Sequence, residues 1–287
     1  MIELSNVSFG YGDSPLYSDL SINFQFGGCY GLLGLNGAGK TSLLKLLAGA
    51  LFPDAGAIRV LDRNPGLRQA EHLADICFVA EKPVALAVSV DRWLAQQLCF
   101  RPAFQETCFH ELLKQFDLTE IDRLKTLSFG QLKKFSLAAA FSSGAKVLLL
   151  DEPTNGLDIP GKIAFRKMLS AMAGPEHIIV ISTHQVRDLE NLLDPLVLIN
   201  AGKLLCNISQ EELAAGFSTG HQADLTGQPV VFARRVSCGY SALLARPGEL
   251  LDLELFFEAA IHSPERFQAA MRGEALAEYQ DTEELQS

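Results

Sequence analysis

Apolar and polar residues alternate with a period of two along Ile2-Glu3-Leu4 and along Leu20-Ser21-Ile22-Asn23-Phe24. Such alternation predicts two strands, each with one buried face. Gly10, Gly12, Asp13, Ser14 and Pro15 mark a turn between them, so a small antiparallel sheet is expected at the N-terminus. Three other segments are dominated by apolar residues: Cys29-Tyr30-Gly31-Leu32-Leu33, Val147-Leu148-Leu149-Leu150 and His177-Ile178-Ile179-Val180-Ile181-Ser182. They have the length and composition of strands buried on both faces. Helical patterning follows the first of them over residues 40–49, ending at Gly49. It also joins the second to the third over residues 163–173, which makes a β-α-β unit with parallel strands. From about residue 83 to 127 the period is three to four, with Trp93, Leu94 and Leu98 and then Leu112, Leu113 and Phe116. Few strand signals occur there, and the stretch reads as a helical insertion. Residues 216–287 predict one strand, Pro229-Val230-Val231-Phe232, and two helices, over 249–261 and 264–276. The expected fold class is α/β, with a mostly parallel sheet, an N-terminal antiparallel subdomain, an inserted helical subdomain and a small α+β extension. The expected domains are 1–215 and 216–287.

Charge and cysteine usage narrow what such a molecule does. With 34 Asp and Glu against 24 Lys and Arg, the net charge is −10, so nucleic acid is an unlikely general partner. The acidity is concentrated at the end: residues 216–287 hold five Lys or Arg against eleven Asp or Glu. No stretch reaches the roughly 18 consecutive apolar residues of a membrane span, and Met1-Ile2-Glu3-Leu4-Ser5-Asn6 lacks a basic segment leading into an apolar run, so no secretory signal is expected. Six cysteines are scattered without metal-ligand spacing, which suits reduced thiols in a cytosolic protein.

Two motifs carry chemistry. Gly34-Leu35-Asn36-Gly37-Ala38-Gly39-Lys40-Thr41 fits G-x-x-x-x-G-K-[ST], in the strand–loop–helix context that a phosphate loop requires. Glycines let backbone N–H groups converge on an oxyanion, and the positive end of the following helix points at the same place. Lys40 reaches the terminal phosphates and the Thr41 hydroxyl is placed for Mg2+; the loop from Asn36 to Gly39, with Thr41 and Ser42, forms the nucleotide cradle. The second motif is the apolar strand 147–150 running into Asp151-Glu152. A buried strand delivers both carboxylates to its carboxyl end beside the phosphate loop. Asp151 is then placed to hold Mg2+ and its waters, and Glu152 to polarise an attacking water. A P-loop NTPase core follows from the pair.

Three further segments make the match more specific. Leu127-Ser128-Phe129-Gly130-Gln131 lies twenty residues before Asp151, Pro153-Thr154-Asn155-Gly156-Leu157-Asp158 follows Glu152, and Ser182-Thr183-His184 ends the third buried strand. With these, residues 1–215 resemble the nucleotide-binding subunits of ATP-binding cassette (ABC) transporters. The resemblance implies a head-to-tail dimer that sandwiches two ATP molecules. In it, Ser128, Gly130 and Gln131 of one subunit cap the γ-phosphate on the other's phosphate loop. It also implies Glu152 as general base, His184 at the γ-phosphate, Asp158 in a loop that communicates across the dimer, and Tyr11 stacked on adenine. Two positions depart from the family pattern. Glu81 stands where the family has a Gln that reaches Mg2+ and the attacking water; a carboxylate oxygen still ligates the cation but cannot donate as an amide does. Phe129 replaces the usual Gly between Ser128 and Gly130.

The same resemblance implies ATP and Mg2+ as cofactors, a homodimer or paralogous heterodimer, and transmembrane permease subunits made as separate chains. It places the protein peripherally on the cytoplasmic face of the inner (plasma) membrane. Residues 163–173, the end of the third strand and the acidic extension with its Leu251-Asp252-Leu253-Glu254-Leu255-Phe256-Phe257 segment are similar to bacterial ABC-2-type exporter ATPases. The expected function is the ATP-hydrolysing subunit of an exporter. The alternative is a soluble ABC ATPase acting on ribosomes or nucleic acid. Such proteins usually carry two cassettes or long coiled coils, and this chain has neither.

Overall fold

The structure, a computed structural model, describes residues 1–119, 121–248, 252–277 and 279. Strand β1 (Ile2–Tyr11) pairs antiparallel with β2 (Ser14–Phe24). Both strands are far longer than the alternation predicts, and the reason is visible in the register. It shifts between Leu4 and Val7, between Val7 and Phe9, and between Phe9 and Gly10. Each shift changes which residues face the core and so breaks the period of two. Next come β3 (Cys29–Leu33), α1 (Lys40–Leu47) and β4 (Ala55–Val60), the last pairing with the far side of β1.

After the short helix α2 (Ala70–Ala74) the chain enters a larger sheet at β5 (Ile76–Val79). It leaves for α3 (Val90–Phe100), α4 (Glu106–Gln115) and α5 (Phe129–Phe141), then returns through β6 (Val147–Asp151), α6 (Ile159–Met172) and β7 (Ile178–Thr183). β8 (Leu196–Asn200) and β9 (Lys203–Ile208) complete a six-stranded sheet in the order β5-β6-β7-β3-β8-β9. The pairs β5–β6, β6–β7, β7–β3 and β3–β8 are parallel. β3, β6 and β7 are buried at every position, as central parallel strands covered on both faces must be. α1 packs on β4 of the small sheet and on β6 and β7 of the large one. Lying between two sheets explains why Leu43, Leu44, Leu46 and Leu47 are all buried, on more than one helical face.

Between β5 and α5 the described residues carry helices and no strand. Aromatic rings hold them together. Trp93 of α3 meets Phe135 of α5 edge-on at 4.8 Å between centroids and Phe109 of α4 at 5.4 Å, and Phe109 meets Phe135 at 5.3 Å. Arg101, just past α3, anchors this layer to the sheet by donating to the carbonyls of Ala74 (2.8 Å) and Ile76 (2.9 Å).

The chain divides into two compact units, Met1–Leu204 and Leu205–Ser287, with the division inside β9. The second unit contains α7 (Gln210–Gly216) and an antiparallel sheet ordered β10-β12-β11, made of β10 (Ser218–Gln222), β11 (Val230–Val236) and β12 (Gly239–Leu244). Helices α8 (Leu253–His262) and α9 (Pro264–Met271) pack on that sheet. Phe217, Phe256 and Phe267 cluster beneath them. The helix expected over 249–261 starts at Leu253; Glu249, Leu250 and Leu251 lie outside the described residues. None of the six cysteines forms a disulfide.

Phe135 is 2% exposed and touches both other helices of the insertion. Its truncation to Ala is expected to lower unfolding free energy by about 3–5 kcal/mol. Urea titration followed by the fluorescence of Trp93, the only tryptophan, measures this directly because the indole sits against the Phe135 ring.

Candidate nucleotide-binding site

β3 ends at Leu33, and the loop from Gly34 to Gly39 turns the chain into α1. Gly39 sits at φ +103° and supplies no side-chain cap to the helix, so the first-turn N–H groups remain available to an anion. A Cβ at Gly39 would collide with the Tyr17 hydroxyl. That hydroxyl donates to the Gly39 carbonyl at 2.6 Å, and burial raises its pKa far above the usual phenol range. Tyr17 therefore stays neutral and braces the loop from beneath. Lys40 is 7% exposed and donates to the carbonyls of Gly34 (2.7 Å) and Leu35 (3.3 Å). Burial lowers its pKa, against the opposing pull of Glu152, Asp151 and Glu81.

The loop opens on a cavity of about 550 Å³. Its lining includes Tyr11, Asn36, Gly37, Gly39, Lys40, Thr41 and Ser42 on one side, and Glu81, Asp151, Glu152, Asn155 and His184 on the other. Ala38 is buried behind the loop. Tyr11, 55% exposed, presents its ring at the rim and shares a hydrogen bond of 3.1 Å between its hydroxyl and that of Ser42. The Thr41 hydroxyl donates to the Asp151 carboxylate, at 2.8 Å to Oδ2 and 3.1 Å to Oδ1. The Ser182 hydroxyl, from the neighbouring strand β7, donates to Asp151 Oδ1 at 2.6 Å.

Glu152 follows in a left-handed conformation, φ +43°. For a non-glycine residue that costs about 1–3 kcal/mol and needs external support. The support lies on both sides of the Asp151–Glu152 peptide. Its N–H donates to Ser182 O (3.1 Å) and Oγ (3.0 Å). Its carbonyl accepts from the Lys133 ammonium at 3.1 Å. The turn aims the Glu152 side chain into the cavity, where Oε1 accepts from His184 Nδ1 at 2.8 Å. Glu152 Oε2 is buried with no hydrogen-bond partner, an unmet acceptor at the place where a bound water or cation would sit. The Thr41 hydroxyl and the carboxylates of Asp151 and Glu81 are hard oxygen donors around one space, which fits Mg2+ held by one or two protein groups together with phosphate and water.

Ser128, Gly130 and Gln131 do not line this cavity. Ser128 caps α5 in a reciprocal box: its hydroxyl accepts from Gln131 N–H (3.3 Å), and Gln131 Oε1 accepts from Ser128 N–H (2.9 Å). Phe129, 47% exposed, lays its ring against Gly156 of the same chain. Asp158 caps α6 by accepting from Gly161 N–H (2.9 Å) and pairs with Lys134 at 2.9 Å; the bond from Lys134 holds its carboxyl below the usual range.

Residues 17–155 match the family described as ABC transporter. The Nod factor export ATP-binding protein I of Burkholderia lata is 33% identical over 213 residues, covering 70% of this chain and 68% of that protein. The bacitracin transport ATP-binding protein BcrA of Bacillus licheniformis is 30% identical over 217 residues, 74% of this chain and 71% of that protein. The chain belongs to the ABC transporter ATP-binding proteins. Among solved structures, one titled as the ATP binding subunit of an ABC transporter shares the fold with a TM-score of 0.66 at 23% identity, over 74% of this chain and 91% of that one. The ABC ATP-binding domain is thus present, with the fold expected of it.

Three residues at this ABC site are hard to find from sequence. Ser182 is simply part of a strand end, and Tyr17 is one aromatic residue among others. Lys133 had a readable signal: four, seven and eight residues on lie Leu137, Ala140 and Phe141, so the helical phase places it on the apolar face of α5. Replacing Lys40 by Ala is expected to weaken ATP binding at least tenfold, about 1.4 kcal/mol. Titration of a fluorescent ATP analogue reads this, and parental affinity in the variant would remove Lys40 from phosphate binding.

Proposed function

We propose that this ABC protein hydrolyses MgATP and uses the cycle to drive export through separate transmembrane subunits. The observation that carries the hydrolytic reading is Glu152: a carboxylate aimed into the phosphate cavity, one oxygen held by His184 and the other unpartnered. In this reading Oε2 takes the proton of the attacking water, and His184 keeps the carboxylate oriented while its ring faces the γ-phosphate. Lys40 and the loop N–H groups hold the phosphates. Thr41, Asp151 and Glu81 would hold Mg2+, which when bound offsets charge on the phosphate oxygens.

A head-to-tail dimer is supported by the placement of Ser128, Gly130 and Gln131, which belong to the Leu127–Gln131 segment, the signature at the start of α5, but stand outside their own chain's cavity. One chain holds both halves of a site, which permits a homodimer and equally a paralogous heterodimer. Among the described residues no helix is long and apolar enough to cross a membrane, so a transport reading requires permease partners. A groove of about 340 Å³ beside the loop that carries Glu81, of mixed polar and apolar lining, supports their docking. It is lined in part by Val84, Leu86 and Trp93, with Val84 80% exposed. Export is favoured over import, and over action on ribosomes, by relatives that are themselves named for Nod factor export and bacitracin transport.

Glu152→Gln removes the base and leaves the volume. It is expected to lower ATP turnover at least a thousandfold, about 4 kcal/mol of barrier, while a dimer accumulates in ATP on size-exclusion chromatography. Turnover at the parental rate would show that Glu152 is not the base. Glu81→Gln restores the amide usual in the family and is expected to leave turnover within about tenfold, a barrier change near 1.4 kcal/mol. A complete loss in a phosphate-release assay would show that the carboxylate is required.

A further inference from the structure

Lys133 is fully buried, 0% exposed, and none of the roles above uses its side chain for chemistry. A lysine in such a place is costly unless every donor is met and its charge is offset. Both conditions hold here. Its three N–H donors face three backbone carbonyls, those of Ala80, Glu81 and Asp151, each at 3.1 Å. Burial lowers its pKa to about 8, and the carboxylates of Asp151, Glu81 and Glu152 oppose that drop. The acceptors belong to two separate segments of the site. Ala80 and Glu81 form the loop that brings Glu81 to the cavity, and the Asp151 carbonyl belongs to the strained peptide that aims Glu152. The lysine itself lies five residues after Ser128 on α5. Its neighbour Lys134 binds Asp158, at the far end of the loop that follows Glu152.

We infer that Lys133 is a positioning residue for hydrolysis: its ammonium clamps the Glu81 loop and the Asp151–Glu152 peptide to α5. Glu81 and Glu152 then keep a fixed separation, and any shift of α5 at its signature end is passed to both. The inference rests on the hydrolytic reading above. A clamp of this kind acts on the rate of the bound complex. ATP is held by the phosphate loop, which Lys133 does not touch, so ground-state affinity is spared.

The test uses the purified full chain. Lys133→Met keeps the volume and removes all three donors; Lys133→Gln offers an uncharged amide with two. Lys133→Met is expected to lower kcat at least tenfold with the KM for ATP within about threefold. Lys133→Gln is expected to recover part of the rate. Hydrogen exchange followed by mass spectrometry is expected to quicken in Lys133→Met over residues 79–83 and 151–156, with parental protection elsewhere in the large sheet. Parental kcat and parental exchange would overturn the clamp. So would a raised KM at unchanged kcat, which would make Lys133 a nucleotide-binding group, or faster exchange throughout the sheet, which would make it a packing residue. If the parent chain itself fails to hydrolyse ATP, the hydrolytic reading falls, and the local exchange pattern still decides whether Lys133 holds the two segments.

Discussion

Asp151 has hydrogen bonds on every acceptor it owns. Its carboxylate takes the hydroxyls of Thr41 and Ser182, and its carbonyl takes the Lys133 ammonium. The donors come from the helix after the phosphate loop, from the adjacent strand and from the signature helix. One residue at the end of one strand therefore registers three elements against each other. In a buried setting such bonds are mutually reinforcing, and the loss of one leaves charged or polar groups unmet. The strained turn at Glu152 is tolerable only because this frame surrounds it, and the direction of the Glu152 side chain depends on that turn.

The frame can be built where it is because the large sheet is parallel. Parallel strands bring their carboxyl ends to one edge, where the connecting loops form the crevice. β3 contributes the phosphate loop there, β6 the two carboxylates, β7 Ser182 and then His184, and β5 the loop with Glu81. The antiparallel sheet adds Tyr11 at the rim and Tyr17 beneath the loop. α1, packed between the sheets, is fixed by burial on both sides, so its N-terminus is held in one orientation toward the crevice.

Much of this was legible in the residues. Cys29–Leu33 and Val147–Leu150 read as buried strands because an unbroken apolar run between polar boundaries permits little else, and the phosphate loop declares itself by local chemistry alone. What was not legible depended on distance or on broken periodicity. The partners of Lys133 lie 18 to 53 residues away, and a lysine on a helix ordinarily reads as solvated. The middle of β1 and β2 was hidden by register shifts. β10, with the sequence Ser-Thr-Gly-His-Gln, has no apolar face to announce it and is a strand because β12 pairs with it. α7 carried a readable start in Ser209 and Glu212, a reciprocal cap, but its short apolar content gave no period to extend.

Phe129 and Gly156 show how one departure from the family pattern constrains a distant position. The ring occupies the space into which a Cβ at 156 would project, and residue 156 itself holds φ +79°. The two positions therefore share a single volume, one filling it and the other ceding it. With a small residue at 129, position 156 would be limited only by its backbone angle. With the Phe129 ring in place it is limited twice over, by that angle and by the occupied volume.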